Sequence, residues 1–545
     1  MMLGMMLSLA VVVVFIKVWL DKEDRPRENV AVSLWFIAIA YLIYRVLTVG
    51  LGNDEVHYLA SSYTLAHHGG DPQVREWLHG TGFGSGCMMR MRTWLLQPYL
   101  ALGLSASATV MLGRWTMALA ALVCSVIVGN VAQRFTRHRA ASVYASALSL
   151  FAFAATLPMV CLRPEYFSLL FIALGLWIMI RQPSRLGFPA RMLISALLLS
   201  LAAATSLRQV PIAIVLLVGQ VGEAKAGTRT RALLWSVIGA AIGAAPTLLT
   251  ASVREIFLTN VSLLQENGWT DMLGMVSPPY AYILFGLCGA GVLVRERFSD
   301  SYSATIVLAW LAAALAAVLL PYQTQFGTGP LMLLGCILAG VFISRLKVPK
   351  WSSGDLPWGS IVMAGLVFVV LFAPIVGLVK VSAWREDAAM LRSQLRLIDW
   401  LGEISRGEPV MCVDANHPIR SGNAWGMWNA YLYSYVYNRD TNRLLCPRHG
   451  EILSSDEVPV IQWDPWSFNS GYPNILLHAV NRQLIPESEI DGIASSLAEH
   501  YRLVKWSGPV HYMFGKRFLV RRDIDLDNRV EELDDSTILG WRDAR

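Results

Sequence analysis

The apolar stretch VAVSLWFIAIAYLIYRVLTVGL occupies residues 30–51 and is followed at once by Gly52-Asn53-Asp54-Glu55. This stretch is long enough to cross the roughly 30 Å of hydrocarbon in a bilayer. Two adjacent carboxylates therefore stand where the chain leaves the membrane. Because ionisable groups are costly beside hydrocarbon, the pair at this boundary favours proton transfer or cation binding over simple packing.

Helix capping is the structural alternative for the same pair. Asn53 or Asp54 could cap a helix over 56–66, because negative charge at a helix N-terminus is favoured by about 0.3–1 kcal/mol. Capping does not exclude catalysis. Desolvation beside hydrocarbon raises the pKa of a carboxyl group towards values that suit a general base.

Similar apolar runs recur along the whole chain. Its 545 residues are 55% hydrophobic and only 15% charged, whereas soluble globular proteins carry about a quarter charged residues. The composition therefore predicts a polytopic membrane protein. The net charge of +6 is typical of basic cytoplasmic loops, and it does not indicate nucleic-acid binding. The sequence contains no zinc-type cysteine pair and no phosphate-binding glycine-rich loop with its lysine.

The loops between the apolar runs alternate in basic content. Loops such as the one with Arg134, Arg137 and Arg139 are rich in Arg and Lys, and the positive-inside rule assigns them to the cytoplasm. The pattern predicts about twelve transmembrane helices. Their positions are roughly 2–20, 30–51, 109–133, 140–160, 164–180, 192–206, 209–222, 232–250, 278–294, 303–320, 328–344 and 359–380.

This topology divides the chain into two domains. A transmembrane domain at 1–380 includes a first outer loop at 52–108, and an extracytoplasmic domain follows at 381–545. The second domain has the pattern of a small α/β fold. Its predicted strands are 409–413, 458–463, 501–506 and 517–521, and its predicted helices are 388–404 and 487–500.

Three cysteines would face an oxidising compartment in this topology, namely Cys87, Cys412 and Cys446. Three cysteines allow three pairings, of which Cys412–Cys446 lies within the predicted α/β domain. Free thiols are the alternative, and the sequence leaves the choice open.

Arginines near the predicted outer ends of spans are candidate anion ligands. They are Arg45, Arg114, Arg163 and Arg208. Each one singly could extend to the membrane interface. Together they would form a pocket for an anionic group, because a planar guanidinium matches phosphate oxygens. In Arg163-Pro164-Glu165 the carboxylate could instead pair with its own arginine.

Two further groups could bind a ligand on the outer side. His57 with Asp54 and Glu55 could hold a divalent cation, although the spacing matches no closed zinc site and a solvated loop histidine is the alternative. A later connection on the outer side could contact a sugar through one aromatic ring and two side-chain amides, or could be a plain polar turn. Its residues are Tyr322, Gln323 and Gln325.

The pattern resembles the GT-C superfamily of membrane glycosyltransferases, in particular its protein O-mannosyltransferase and aminoarabinose transferase branch. The first outer loop of that branch opens with Asp-Glu, then a Tyr and a short helix that ends in Leu-Ala and a Gly. The residues that match this order are Asp54, Glu55, Tyr58, Leu65-Ala66 and Gly69. Arg163 and Glu165, ahead of an apolar span, resemble the basic–acidic pair that these enzymes often carry.

The resemblance implies that a sugar passes from a polyprenyl phosphate to an acceptor at the extracytoplasmic face of the plasma membrane, the inner membrane in a bacterium. Asp54 would be the general base, with Glu55 assisting. Arg163 and Arg208, with Arg114, would bind the donor phosphate. The residues implied to bind sugar or acceptor are His57, Tyr58, Glu165, Tyr322, Gln323 and Gln325. The expected partners are the lipid-linked donor, a protein, lipid or glycan acceptor and membrane lipids, without nucleic acid.

A lipid-linked glycan transporter or flippase is the alternative from another class. It would use the same arginines without breaking a bond, and its expected marks are inverted repeats and charged residues deep in several spans. No cofactor is required by the sequence, which leaves a divalent cation open. The sugar, the acceptor and the oligomeric state are not specified by the sequence.

Overall fold

The computed structural model describes a helical chain with a small sheet near its C-terminus. The residues described are 24–51, 102, 104–155, 165–206, 209–248, 279–299, 301–319, 329–345, 388–405, 410–411, 437–438, 443–444, 453, 458–464, 474–481, 485–510 and 516–542.

Up to residue 345 the described chain is built from helices. They are α1 (Asp24–Thr48), α2 (Ala106–Ala132), α3 (Arg139–Ala155), α4 (Glu165–Arg181), α5 (Phe188–Thr205), α6 (Val210–Gly222), α7 (Arg229–Leu248), α8 (Pro279–Arg295), α9 (Ser303–Leu319) and α10 (Gly329–Arg345). A helix therefore lies at every predicted span from 30–51 to 328–344. The predicted spans 2–20 and 359–380 lie outside the described residues.

Several of these helices have the length and composition of membrane spans. Among the described residues, α1, α2 and α5 are long and apolar enough to cross a bilayer, and the bent pair α6 and α7 could form a fourth span. The other helices up to α10 are apolar but shorter. Large apolar side chains face outwards, with Phe36, Leu119 and Val218 61%, 59% and 67% exposed. Such surfaces are typical of helices that meet lipid, which indicates membrane integration.

Contacts divide the chain into two compact units. The first unit comprises Met1–Val46, Thr116–Val160 and Pro164–Trp384, and the second comprises Leu47–Trp115, Cys161–Arg163 and Arg385–Arg545. The second unit therefore groups the C-terminal segment with the end of α1 and the beginning of α2.

Small residues allow α5 and α7 to pack closely in the first unit. Gly239 and Gly243 of α7 face the main chain of α5, where added Cβ atoms would meet the carbonyl oxygens of Leu193 and Leu197. This is the small-xxx-small spacing by which apolar helices approach one another. A glycine also allows a close approach between α8 and α10, where Gly289 faces the main chain of Leu338.

A buried amide joins three helices of the same unit. The side chain of Gln220 on α6 is fully buried and accepts a hydrogen bond from Ser195 Oγ of α5 at 2.6 Å. Its Nε2 donates to the carbonyl oxygen of Met192 at 2.9 Å and to Ser236 Oγ of α7 at 3.1 Å. These bonds offset the cost of burying an amide among apolar helices.

An ion-pair network surrounds Arg345, the last residue of α10. Arg345 donates from Nε and Nη2 to the two carboxylate oxygens of Glu296, at 3.0 and 2.9 Å. Its Nη1 donates to the carbonyl oxygen of Phe135 at 2.6 Å. Arg137 adds a bond to Glu296 Oε1 at 3.1 Å. Fork-to-carboxylate pairs of this kind are charge-assisted and geometrically specific, so they fix how the chain leaves α8 and α10.

The second unit contains the C-terminal sheet and its helices. The elements are α11 (Ala388–Ser405), β1 (Val410–Met411), β2 (Tyr437–Asn438), β3 (Arg443–Leu444), β4 (Val460–Gln462), α12 (Ile475–Asn481), α13 (Glu487–His500), β5 (Tyr501–Trp506), β6 (Arg517–Arg521), β7 (Val530–Glu532) and α14 (Ser536–Leu539). Five strands form one sheet in the order β1-β4-β6-β5-β7, and β2 and β3 pair separately. Only β1 and β4 run parallel among the pairs of the larger sheet.

Alternating side chains give this sheet two buried faces. One face contributes Ile461, Leu503 and Leu519 to a core shared with α12, α13 and α14. The opposite face contacts α11, where the ring of Trp400 lies 5.6 Å from Trp506 and 6.0 Å from Phe518. The strands and helices predicted here from the sequence are present, whereas α12, α14, β2, β3 and β7 were not predicted.

Candidate functional site

The candidate site begins with Arg114, in the third turn of α2. Its side chain is fully buried, and it donates from Nη1 to the carbonyl oxygen of Val49 at 2.6 Å and from Nη2 to that of Gly50 at 3.1 Å. Val49 and Gly50 follow the end of α1, so their carbonyl groups lie beyond the helical hydrogen-bond ladder. Arg114 therefore fixes the main chain immediately after α1.

A second bond fixes the next residue. The backbone N–H of Leu51 donates to Gln394 Oε1 at 2.9 Å. Both residues are buried, with Leu51 2% exposed and Gln394 0% exposed. Gln394 belongs to α11 and lies 343 positions away along the chain. Its Nε2 has no hydrogen-bond partner among the described atoms.

The same helix also holds the start of α2. Asp399 Oδ1 accepts a hydrogen bond from the backbone N–H of Ser107 at 2.9 Å. The first N–H groups of a helix have no partner within it, and a carboxylate there also interacts favourably with the helix dipole. Gln394 and Asp399 thus connect α11 to both chain segments that flank the predicted first outer loop. All these contacts lie within the second unit.

The predicted acidic pair follows directly on this anchored segment in the sequence. Asp54 lies three residues after Leu51, and Glu55 follows it. Asp54, Glu55, His57 and Tyr58 lie outside the described residues. The structure therefore defines the main chain up to Leu51 and the residues that hold it.

The other predicted site residues fall into two groups. Glu165 is the first residue of α4, and Arg45 lies in the last turn of α1 with 1% of its surface exposed. The residues outside the described part of the chain are Arg163, Arg208, Tyr322, Gln323 and Gln325, together with Cys87, Cys412 and Cys446.

Gln394 and Asp399 were missed by sequence reasoning, although a signal for Gln394 was present. Leu391, Ile398 and Leu401 are buried at helical spacing on α11. Gln394 occupies the position in this stripe where another apolar residue would be expected. A polar residue on a buried helix face needs a hydrogen-bond partner, and the sequence carries no signal that the partner is the main chain at Leu51.

No group of three or more His, Cys, Asp or Glu residues that could hold a metal ion occurs within the described ranges. The described free cysteines are Cys124, Cys288 and Cys336. They lie on the apolar helices α2, α8 and α10, as expected for small packing residues.

No protein-family model matches the chain, and no curated protein matches it.

Proposed function

We propose that this chain is an integral membrane glycosyltransferase that takes a sugar from a polyprenyl-phosphate donor. The observation that carries the proposal is the anchoring of Val49, Gly50 and Leu51 by Arg114 and Gln394. A rigid exit from a membrane helix, three residues before two carboxylates, is what a general base at the lipid–water boundary requires. In general, holding a catalytic group and its reactant in the reactive geometry can supply about 7–11 kcal/mol of a reaction barrier.

The proposed architecture has about twelve membrane spans, with the first outer loop and the C-terminal α/β domain on the extracytoplasmic side. The apolar helices and the C-terminal sheet support this arrangement. The spans would hold the polyprenyl tail in hydrocarbon, so that the anomeric carbon lies at the membrane surface. The C-terminal domain would cover the acceptor side.

In the proposed reaction, Asp54 accepts the proton of the acceptor hydroxyl, whose oxygen attacks the anomeric carbon from the side opposite the phosphate. The bond between that carbon and the phosphate oxygen breaks, and its electron pair leaves with polyprenyl phosphate, so the configuration inverts. Glu55 orients the acceptor. Arg163 and Arg208 stabilise the charge that develops on the leaving phosphate.

The remaining predicted residues have supporting roles in this proposal. Arg114 would contribute positive charge to the donor site in addition to its contacts with Val49 and Gly50. The residues proposed to contact sugar or acceptor are His57, Tyr58, Glu165, Tyr322, Gln323 and Gln325. A divalent cation is not required by the proposed mechanism, and activity after treatment with a chelator tests this point.

The test uses the purified full-length protein in nanodiscs with a panel of radiolabelled polyprenyl-phosphate sugars and protein, lipid and glycan acceptors. Release of polyprenyl phosphate is measured for the wild type, for Asp54→Asn and for Asp71→Asn, a matched control in the same predicted loop. We expect release by the wild type and by Asp71→Asn, and a loss of 10²-fold or more in Asp54→Asn, about the contribution of a general base. Tight donor binding without release from any donor would contradict the proposal and favour the transporter.

A further inference from the structure

Two connections between helices lie side by side in the first unit, namely 133–138 between α2 and α3 and 296–302 between α8 and α9. Arg345, the last residue of α10, donates to the carbonyl oxygen of Phe135 in the first connection and to the carboxylate of Glu296 in the second. All five helices that begin or end here are apolar. In a membrane, the ends of apolar helices lie at the level of the lipid headgroups.

Arginines outnumber carboxylates at this level. The two connections and the helix residues beside them contain Arg134, Arg137, Arg139, Arg295, Arg297 and Arg345. The only carboxylates of the same segments are Glu296 and Asp300, and Asp300 lies outside the described residues. Glu296 is shared by two arginines, Arg345 and Arg137. The pair with Glu28 of α1 leaves the side chain of Arg139 73% exposed.

Arg134 and Arg297 add positive charge that is not neutralised by an ion pair. Arg134 Nη2 donates to the hydroxyl of Ser301 at 3.5 Å, and both arginines are exposed. In the part of the chain that the structure describes, neither of them pairs with a carboxylate. A guanidinium in this state suits a phosphodiester, because its planar fork matches phosphate oxygens.

The turn after α8 presents an arginine and a phenylalanine in a backbone conformation that favours glycine. Arg297 and Phe298 have φ angles of 53° and 51°. Their N–H groups donate to the carbonyl oxygens of Val294 and Leu293, both at 2.9 Å, which is the Schellman pattern that usually has Gly at the position of Arg297. Phe298 is 39% exposed. Strained positions that keep their side chains cluster at functional sites, and a basic residue beside an aromatic ring is typical of the membrane interface.

We infer that these two connections form a binding site for the headgroup of an anionic phospholipid. Arg134 and Arg297 bind the phosphodiester, Arg137 and Arg139 add positive charge, and Phe298 packs beside the acyl chains where they meet the headgroup. Basic clusters between membrane helices bind anionic headgroups in this way. In the topology predicted from the sequence, the site lies on the cytoplasmic side. The inference goes beyond the proposed function and does not depend on it.

The test titrates the purified full-length protein, in a non-ionic detergent, with fluorescent phosphatidylglycerol and with fluorescent phosphatidylcholine. We expect the wild type to bind phosphatidylglycerol more tightly than phosphatidylcholine. Arg134→Gln and Arg297→Gly should each weaken binding of phosphatidylglycerol about fivefold, as expected for a basic residue beside an anionic lipid surface. Neither change should alter the affinity for phosphatidylcholine.

The glycine variant separates binding from folding. Glycine adopts a positive φ without a steric penalty, so lipid-free Arg297→Gly should unfold at the same temperature as the wild type or higher. Loss of lipid binding without loss of stability is a result that a purely structural role of Arg297 would not give. A lower unfolding temperature, with an unchanged affinity for phosphatidylglycerol, would assign Arg297 to the fold and overturn the inference.

A matched control separates a site from general charge attraction. Arg231→Gln removes an exposed arginine from the first turn of α7, next to a loop predicted on the same side, and should leave the affinity unchanged. An equal loss in Arg231→Gln and Arg134→Gln would overturn the inference, and so would equal wild-type affinity for the two lipids. Displacement of the lipid by inorganic phosphate, but not by chloride at equal ionic strength, would indicate a site for a free anion and overturn the assignment to lipid.

Discussion

The Nη1 atom of Arg114 lies 2.6 Å from the carbonyl oxygen of Val49, so a buried arginine of α2 holds the main chain at the end of α1. With the second bond to Gly50, the guanidinium binds two successive carbonyl groups. The sequence predicted a phosphate ligand at this position. In the structure, Arg114 instead binds the main chain of Val49 and Gly50. Its contact with a donor phosphate stays a prediction.

Arg114→Met should destabilise the protein because two buried carbonyl groups lose their donor, at about 1–3 kcal/mol each. Arg114→Lys should have an intermediate effect, since one ammonium group cannot reproduce the two-pronged geometry. Thermal unfolding followed by tryptophan fluorescence measures both, with the exposed Arg134→Met as control. If Arg114→Met unfolded at the same temperature as the wild type but bound the donor more weakly, Arg114 would instead be a phosphate ligand only.

Glycines on one helix provide a matched pair of substitutions. A Cβ atom at Gly289 would lie against the main chain of Leu338, 2.7 Å from its Cβ, whereas a Cβ at Gly291 would meet nothing within 4 Å. Gly289→Ala should force α8 and α10 apart and cost about 1–3 kcal/mol. Gly291→Ala should be neutral or stabilising by up to about 1 kcal/mol through helix propensity. Equal thermal midpoints for the two variants would contradict the close packing of α8 against α10.

The carboxylate of Glu296 should make stability depend on pH. The hydrogen bond from Arg345, with the nearby charges of Arg345 and Arg137, holds the pKa of Glu296 below its ordinary value of 4.5. A carboxyl group whose pKa is lowered by folding contributes stability that is present above its unfolded-state pKa and is lost as the pH falls through the folded-state value. Glu296→Gln should therefore unfold at a lower temperature than the wild type at pH 7, and the difference should narrow below about pH 4.5.

Matched arginine variants refine this prediction. The side chain of Arg345 is 14% exposed and that of Arg137 is 60% exposed. Arg345→Gln should destabilise clearly because Glu296 loses its bidentate partner, whereas Arg137→Gln should change stability by no more than about 1 kcal/mol, as surface pairs do. If the difference in unfolding temperature between Glu296→Gln and the wild type did not change with pH, the ion pair would not account for that difference.

Much of the secondary structure could be predicted from local patterns. Apolar runs between basic loops located α1 to α10, because the length and composition of a span are properties of consecutive residues. Alternating apolar residues located β4, β5 and β6 in the same way. The short helices α12 and α14 escaped prediction, since their apolar residues are buried in the core beneath the sheet and carry little pattern of their own. The short strands β2, β3 and β7 also escaped it, because two or three residues are too few to show an alternation.

The sequence by itself determined the apolar helices, the C-terminal α/β pattern and the acidic pair that follows 30–51. Only the tertiary structure decided that Arg114 binds the main chain after α1 and that Gln394 binds Leu51 from 343 positions away. The physical reason is that periodicity specifies which face of a helix is buried, but not which distant group meets that face. A buried amide can accept a bond from any donor that the fold brings to it, so its partner is set by packing.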